Sequence, residues 1–361
     1  NTDPKLLIDF AGRSLFESAT VDNNILLFRK GGNQAACKTV AVRSDLKSLT
    51  DLPRHVEENA VVTENFGGGE AWIIASSIED QIRKKIEAKG TPLKDWGVNI
   101  YRGILTGYNE AFIIDEQTKD RLIQEDPKSA EIIKPVLRGR DIKRYRADFA
   151  DLWLLNVHNG YLNSRGEKIP PIDIHDYPAI KKWLDQFWDK LVVRQDQGDS
   201  PYNLRSCAYL HEFENEKIIY AEIVHDQRFY LDNRGFYPEA TTFLMTGPHL
   251  KYIYALLNSD PVTWIFRKFY AGGGLGKEGF RYKKQFLEKL PIPQPDIDDE
   301  KDIVEAIEEI INIAEQNDYP SNEEKTRIVK EFEELINDYI YKLYGFSELE
   351  INYVENSILK Q

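Results

Sequence analysis

Two short apolar runs open the chain: Leu6-Leu7-Ile8, followed by a turn at Ala11-Gly12-Arg13, and Asn24-Ile25-Leu26-Leu27-Phe28, bounded by polar residues and by Gly31-Gly32. Runs of that length between turn residues predict strands. Lys38 to Arg43 alternates in polarity and predicts a third. Three strands do not bury a core of their own, so residues 1–43 read as the edge of a sheet whose remainder lies elsewhere. Residues 44–95 read as a connector: Ser44 to Gly69 is polar and irregular, and Ile78 to Ala88 is a charged helix closed by Gly90.

A new pattern starts at Trp96 and runs to residue 295. Val98-Asn99-Ile100-Tyr101 and Ala111-Phe112-Ile113-Ile114-Asp115 flank Thr106-Gly107-Tyr108-Asn109 as a hairpin-like pair. Further strands are predicted at Leu152 to Val157, Lys217 to Val224, Arg228 to Asp232 and Thr241 to Met245, with helices from Pro178 to Phe187, His249 to Asn258 and Pro261 to Tyr270. Sequential strands with short turns favour a mixed or antiparallel sheet over βαβ units. Residues 296–361 read as helices. Ile303, Ile307, Ile310, Ile311 and Ala314 share one face, and Ile328, Phe332, Leu335, Tyr339 and Leu343 another. Ser321 with Glu324, and Ser347 with Glu350, fit the capping box. The predicted class is α+β: a partial sheet edge, a mixed or antiparallel central domain, and a C-terminal helical hairpin with a short terminal helix.

Charge changes this picture. The chain has 361 residues and a formal net charge of −13, but residues 291–361 hold 19 acidic and 6 basic residues, whereas the first 290 hold 41 of each. The acidity belongs to the tail. A neutral body with local basic clusters is compatible with DNA on one face. No apolar run approaches the roughly 18 residues that cross a bilayer, and the N-terminus lacks a signal-peptide pattern. A cytoplasmic protein without a membrane partner is expected. Cys37 and Cys207 are far apart and no CxxC occurs, so both read as reduced structural cysteines. The chain begins at Asn1, and Met245 is its only methionine, so a piece of a longer protein is expected.

The densest candidate site is Ile132 to Arg146. Arg138, Arg140, Lys143, Arg144 and Arg146 fall within nine residues against one acid, Asp141, with Tyr145 among them. Such a cluster suits phosphate; the alternative is a solvated loop whose arginines pair with nearby acids. Gly139 would let the backbone approach a ligand or take a positive φ. A second basic stretch is the glycine loop Gly272 to Gly279 running into Phe280-Arg281-Tyr282-Lys283-Lys284. Gly274, Lys277, Arg281, Tyr282, Lys283 and Lys284 are DNA-contact candidates there, against a plain mobile loop. The GxGxxG at Gly274, Gly276 and Gly279 follows a predicted helix, not the strand that a dinucleotide fold needs, and Glu278 stands where a P-loop needs serine or threonine. Arg228 beside Asp226 fits either a base-edge contact or a charged turn. The histidines show no metal spacing, and no GxSxG or assignable carboxylate pair occurs. Nothing here specifies catalysis or a metal.

Four stretches in order resemble the TaqI-like C-terminal specificity domain: Ile104 to Asp115 (ILTGYNEAFIID), Lys134 to Tyr145 (KPVLRGRDIKRY), Leu256 to Ser259 (LLNS) and Phe286 to Pro293 (FLEKLPIP). That domain belongs to adenine-N6 DNA methyltransferases and fused type IIG restriction-modification enzymes. The ending Ile336 to Glu350 is similar to the family's terminal helices, and the N-terminal strands to the last strands of its methyltransferase domain. The resemblance implies that residues 1–43 are terminal strands of a methyltransferase sheet and that residues 96–295 recognise the DNA target. It also implies that Phe16 packs on the flipped adenine, where a ring restores lost stacking; a strand phenylalanine buried in the sheet is the competing reading. The family's FxGxG cofactor loop and its (Asn/Asp)-Pro-Pro-(Tyr/Phe) motif are absent, since Pro170-Pro171 lies between isoleucines.

No cofactor is therefore expected in this chain, and S-adenosylmethionine is expected for the full-length parent. The expected partners are double-stranded DNA and the catalytic domain of the same protein. The alternative is a protein-interaction module of a phage-defence complex that docks through its acidic helical tail. Within the cluster, Arg138, Arg140 and Asp141 are expected to anchor the recognition fold or hold the duplex backbone, and Lys143, Arg144 and Arg146 to be the freer phosphate contacts.

Overall fold

The computed structural model describes residues 2–10, 23–32, 36–42, 49–64, 76–271 and 279–359. The fold is α+β. Thr2–Asp9 pairs antiparallel with Asn24–Lys30 and parallel with Ala36–Ala41, which pairs antiparallel with Val61–Glu64. The last strand and the helix Leu52–Asn59 lie in the stretch expected to be irregular. Ile8, Phe10, Val40 and Val42 form the small core of this mixed sheet.

The central part is built on two further four-stranded sheets. In one, Phe229–Asp232, Lys217–Ala221, Thr242–Thr246 and Asn99–Arg102 are antiparallel neighbours in that order. In the other, Tyr237–Pro238 runs parallel to Ile133–Leu137, which is followed by Leu152–Leu155 and Ile113–Asp115, both antiparallel. The expected hairpin between residues 98–101 and 111–115 does not form. Its two halves enter different sheets, because Gly103 lies against strand backbone: a Cβ there would stand 2.1 Å from the Glu239 carbonyl oxygen. Only glycine permits that approach.

The helix expected over residues 261–270 divides into Asp260–Ile265 and one π-helical turn, Phe266–Tyr270. Ile297–Ala314 and Glu323–Tyr344 pack as a hairpin, with Glu348–Ile358 after it. Asn322, not Ser321, caps the second of these, accepting from the backbone N–H of Glu324 and Lys325. Ser347 and Glu350 form the expected capping box. Ile303, Ile307, Ile310 and Ala314 are buried as expected, but the buried face of the next helix is Val329, Ile336, Ile340 and Tyr344. The expected stripe lies beside it, with Leu335 42% exposed, because the tail packs into the central core and not only on its own partner helix. One apolar cluster joins Ile218, Tyr220 and Met245 of the sheet, Leu256 and Ile265 of the middle helices, and Ile307, Ile340 and Val354 of the tail.

One ion pair is fully enclosed. Lys217 and Asp232 face each other across neighbouring strands at 2.6 Å with no exposure. Lys217 Nζ also donates to the Phe213 and Asn215 carbonyls, and Asp232 accepts from the Arg234 and Phe236 N–H groups. Every strong donor and acceptor is matched, which is what makes burial tolerable. Asp232→Ala is expected to cost about 3–5 kcal/mol by leaving a buried ammonium uncompensated, and the double variant Lys217→Met/Asp232→Leu much less. Denaturant unfolding checks this, and equal losses in the two variants would reject it.

Candidate nucleic-acid interface

The basic stretch leaves the strand Ile133–Leu137 and makes one tight turn, Gly139–Asp141, pinned by buried Leu137 and Ile142. Asp141 receives Arg138 in a two-point contact, with Nε at 2.7 Å and Nη2 at 2.8 Å, and also the Arg138 backbone N–H at 3.2 Å. Arg138 is therefore compensated within its own turn. Gly139 is small for packing: a Cβ would lie 3.2 Å from Ala221 Cβ, on the neighbouring sheet. That close approach is to protein, not to a ligand. The Arg140 side chain is exposed and has no ion-pair or hydrogen-bond partner among the described residues.

The second half of the cluster turns inward. Lys143 donates to the Arg140 carbonyl at 2.7 Å. Tyr145, at φ +69°, is buried edge-on to Tyr254. Arg144 donates through Nε and Nη2 to the Asn258 carbonyl at 3.1 and 2.5 Å, and its Nη1 lies 2.9 Å from the Glu333 carboxylate in the tail. Burial pushes the Glu333 carboxyl above its ordinary value, with Arg144 and Tyr145 opposing it. Arg146 donates to the Tyr319 carbonyl at 2.6 Å and pairs with Asp148 at 3.2 Å. The expectation that Arg144 and Arg146 are the freer cations is thus corrected: Glu333 and the Tyr319 carbonyl, both distant in sequence, hold them against the C-terminal part of the chain, and Asp148 pairs with Arg146 locally.

The other candidates are not gathered into one cluster. Arg228 and Asp226 chelate each other. Tyr282 is buried in the core, 4.7 Å from the Phe229 ring and 4.6 Å from Phe266, which removes it from reach of a base. Lys284 donates to the Ile100 carbonyl at 2.8 Å. Lys283 lies over Phe286, 5.9 Å from its ring centre. Arg281 is half-buried in a strand pair with Ile223–Val224. Phe16, Gly274 and Lys277 lie outside the described residues.

Arg138, Gly139 and Arg140 form one side of an open groove of about 560 Å³; Asn109, Glu110 and Glu239 line it with them. The neighbouring Thr106–Asn109 turn is held by Arg194, a buried guanidinium that donates to the carbonyls of Thr106, Asp196, Pro201 and Asn203. With no carboxylate bonded to it, burial lowers the Arg194 guanidinium to about 10, Asp196 partly offsetting this. Arg194 and Asn258 were not singled out from the sequence as site residues. Asn258 is fully buried, donating to the Phe229 carbonyl and accepting from the Phe229 N–H, and Ser259 caps the next helix. The LLNS stretch thus joins a helix end to a sheet edge. The PIP stretch has a similar part: Tyr252 and Tyr344 hydroxyls donate to the Pro293 and Pro291 carbonyls.

The motif stretches thus close the central fold, and Arg140 stands at the groove without a side-chain partner among the described residues. Residues 134–292 match the TaqI-like C-terminal specificity domain. The type II methyltransferase M.PaeR7I of Pseudomonas aeruginosa is 24% identical over 265 residues, which are 71% of this chain and 43% of that protein. In structure, the type IIL restriction-modification enzyme MmeI, solved in complex with DNA, is similar over 99% of this chain and 46% of its own, with a TM-score of 0.57 and 13% identity. The type IIG restriction endonuclease BpuSI covers 95% and 44%, with a TM-score of 0.44 and 14% identity. The chain spans less than half the length of each of these relatives.

Arg144→Ala is expected to destabilise the fold by about 2–4 kcal/mol, since it strands the Asn258 carbonyl and a half-buried Glu333, while Arg140→Ala leaves stability unchanged. Equal unfolding midpoints for the two variants would reject the inward assignment.

Proposed function

We propose that this chain is the target-recognition region of a DNA adenine-N6 methyltransferase or type IIG restriction-modification enzyme. In this reading residues 96–295 form one wall of a DNA cleft, residues 1–43 the edge of the methyltransferase sheet, residues 44–95 the connector and residues 296–361 the helical support. A catalytic domain of the same protein supplies the opposite wall, S-adenosylmethionine and the chemistry, and Phe16 packs on the flipped adenine. The cytoplasm is the compartment that fits. The observation that carries the proposal is the specificity-domain match over residues 134–292.

The groove supports a particular orientation. Arg140 is its uncompensated cation and suits a backbone phosphate. Glu110 and Glu239 repel phosphate but accept from the exocyclic amino groups of bases, so base edges rather than backbone face them. The apolar face of the helical tail is not free to dock a partner subunit: Ile303, Ile307, Ile340 and Tyr344 are buried against the chain's own core.

In the full-length protein, Arg140→Ala is expected to weaken DNA binding about equally on all sequences and to reduce the salt slope of log K by about 1. A changed target preference would contradict the phosphate role. Exchanging residues 96–295 for those of a relative with another target is expected to move site choice; unchanged site choice, or no salt-dependent binding by the parent, would reject the function.

A further inference from the structure

The π-helical turn Phe266–Tyr270 carries Arg267, an exposed arginine whose guanidinium carbon lies 4.9 Å from the centre of the Phe280 ring. Phe280 is buried against Phe266 and Tyr282. The next residue in the strand, Arg281, is half-buried, and its Nε is enclosed without a hydrogen-bond partner. Neither arginine has a carboxylate partner among the described residues. Other cations of the central and C-terminal parts do: Lys268 pairs with Glu79 at 3.0 Å, Arg83 with Asp80 at 2.9 Å, Arg228 with Asp226 and Arg144 with Glu333 at 2.9 Å. Burial pulls the Arg267 guanidinium below its ordinary value, and Tyr282 opposes this.

Partial desolvation of a charge without a counter-ion is unfavourable, and no acid among the described residues relieves it. An anion from outside relieves it. Aromatic surface lowers the local dielectric and strengthens the contact with that anion, and the planar guanidinium both stacks on a ring and presents two donors to a phosphate. Single π-turns recur where a helix presents a functional side chain.

We infer that Arg267, with Arg281 beside Phe280, is a second anchor for the DNA, binding a backbone phosphodiester separately from the groove at Arg140. The inference rests on the DNA-recognition reading. Two anchors on different elements fix the angle of a duplex, which one contact cannot do. Arg267 is a positioning contact and carries no base specificity.

The test is equilibrium binding of the full-length protein to cognate and unrelated duplexes across a salt series, with Arg267→Ala, Arg267→Lys, Arg281→Ala and Arg140→Ala compared. Arg267→Ala is expected to reduce the salt slope by about 1 and to weaken both duplexes by the same factor. Arg267→Lys, which keeps the charge and the aliphatic stem, restores most of the slope; the thermal unfolding midpoint separates this from a folding defect. If Arg267→Ala and Arg281→Ala keep the parental slope and affinity while Arg140→Ala loses both, this inference is overturned and the proposed function stands. If the parent binds neither duplex in a salt-dependent way, the function itself fails.

Discussion

Arg144 is the constraint on which the joining of the central sheets to the C-terminal helices depends. Its guanidinium reaches the Asn258 carbonyl and the Glu333 carboxylate at once and lies over the Tyr145 ring at 5.0 Å. Asn258 in turn bonds both backbone groups of Phe229. One side chain thus ties the basic loop, the edge of the central sheet, the turn between two middle helices and the C-terminal hairpin. An empty donor direction on a partly buried guanidinium is costly, and here the Asn258 carbonyl and the Glu333 carboxylate fill the directions that face the protein. The recognition region and the acidic tail are consequently one packed unit, as their shared apolar core also shows.

That arrangement divides the cations by task. Arg138 is closed by Asp141, Arg144 and Arg146 face the tail, and Arg140 is left to solvent. Net charge does not reveal this division. A net charge of −13 does not oppose DNA binding where the acidic excess lies away from the uncompensated arginines, and here 19 acids fall in the last 71 residues. Counterion release depends on the phosphates neutralised at the interface rather than on total charge.

Much of the fold was legible because burial imposes periodicity. The strands at Lys217–Ala221, Phe229–Asp232 and Thr242–Thr246 and the three tail helices lie close to where their apolar patterns placed them. Pairing was less legible: residues 99–102 and 113–115 are strands, but their partners are set by the close passage at Gly103, a tertiary fact. The stripe at Ile328, Phe332 and Leu335 has good helical spacing, yet the buried face is one position round at Val329 and Ile336, because a third body packs there. In the candidate site, a run of arginines announces charge but not its partners. Glu333 and Tyr319, which decide the roles of Arg144 and Arg146, are remote along the chain. Tyr282 looked like a stacking aromatic because it sits between cations, and strand alternation turned it into the core. Arg267 leaves no mark in the sequence, because one arginine in an apolar helix carries no pattern.

The most direct test of this division of labour is a structure of the full-length protein bound to its DNA target. The Arg140 guanidinium is expected within hydrogen-bonding distance of a backbone phosphate, with Arg144 still on the Asn258 carbonyl and Glu333. Arg144 released from the tail and seated on a phosphate, with Arg140 facing solvent, would contradict it.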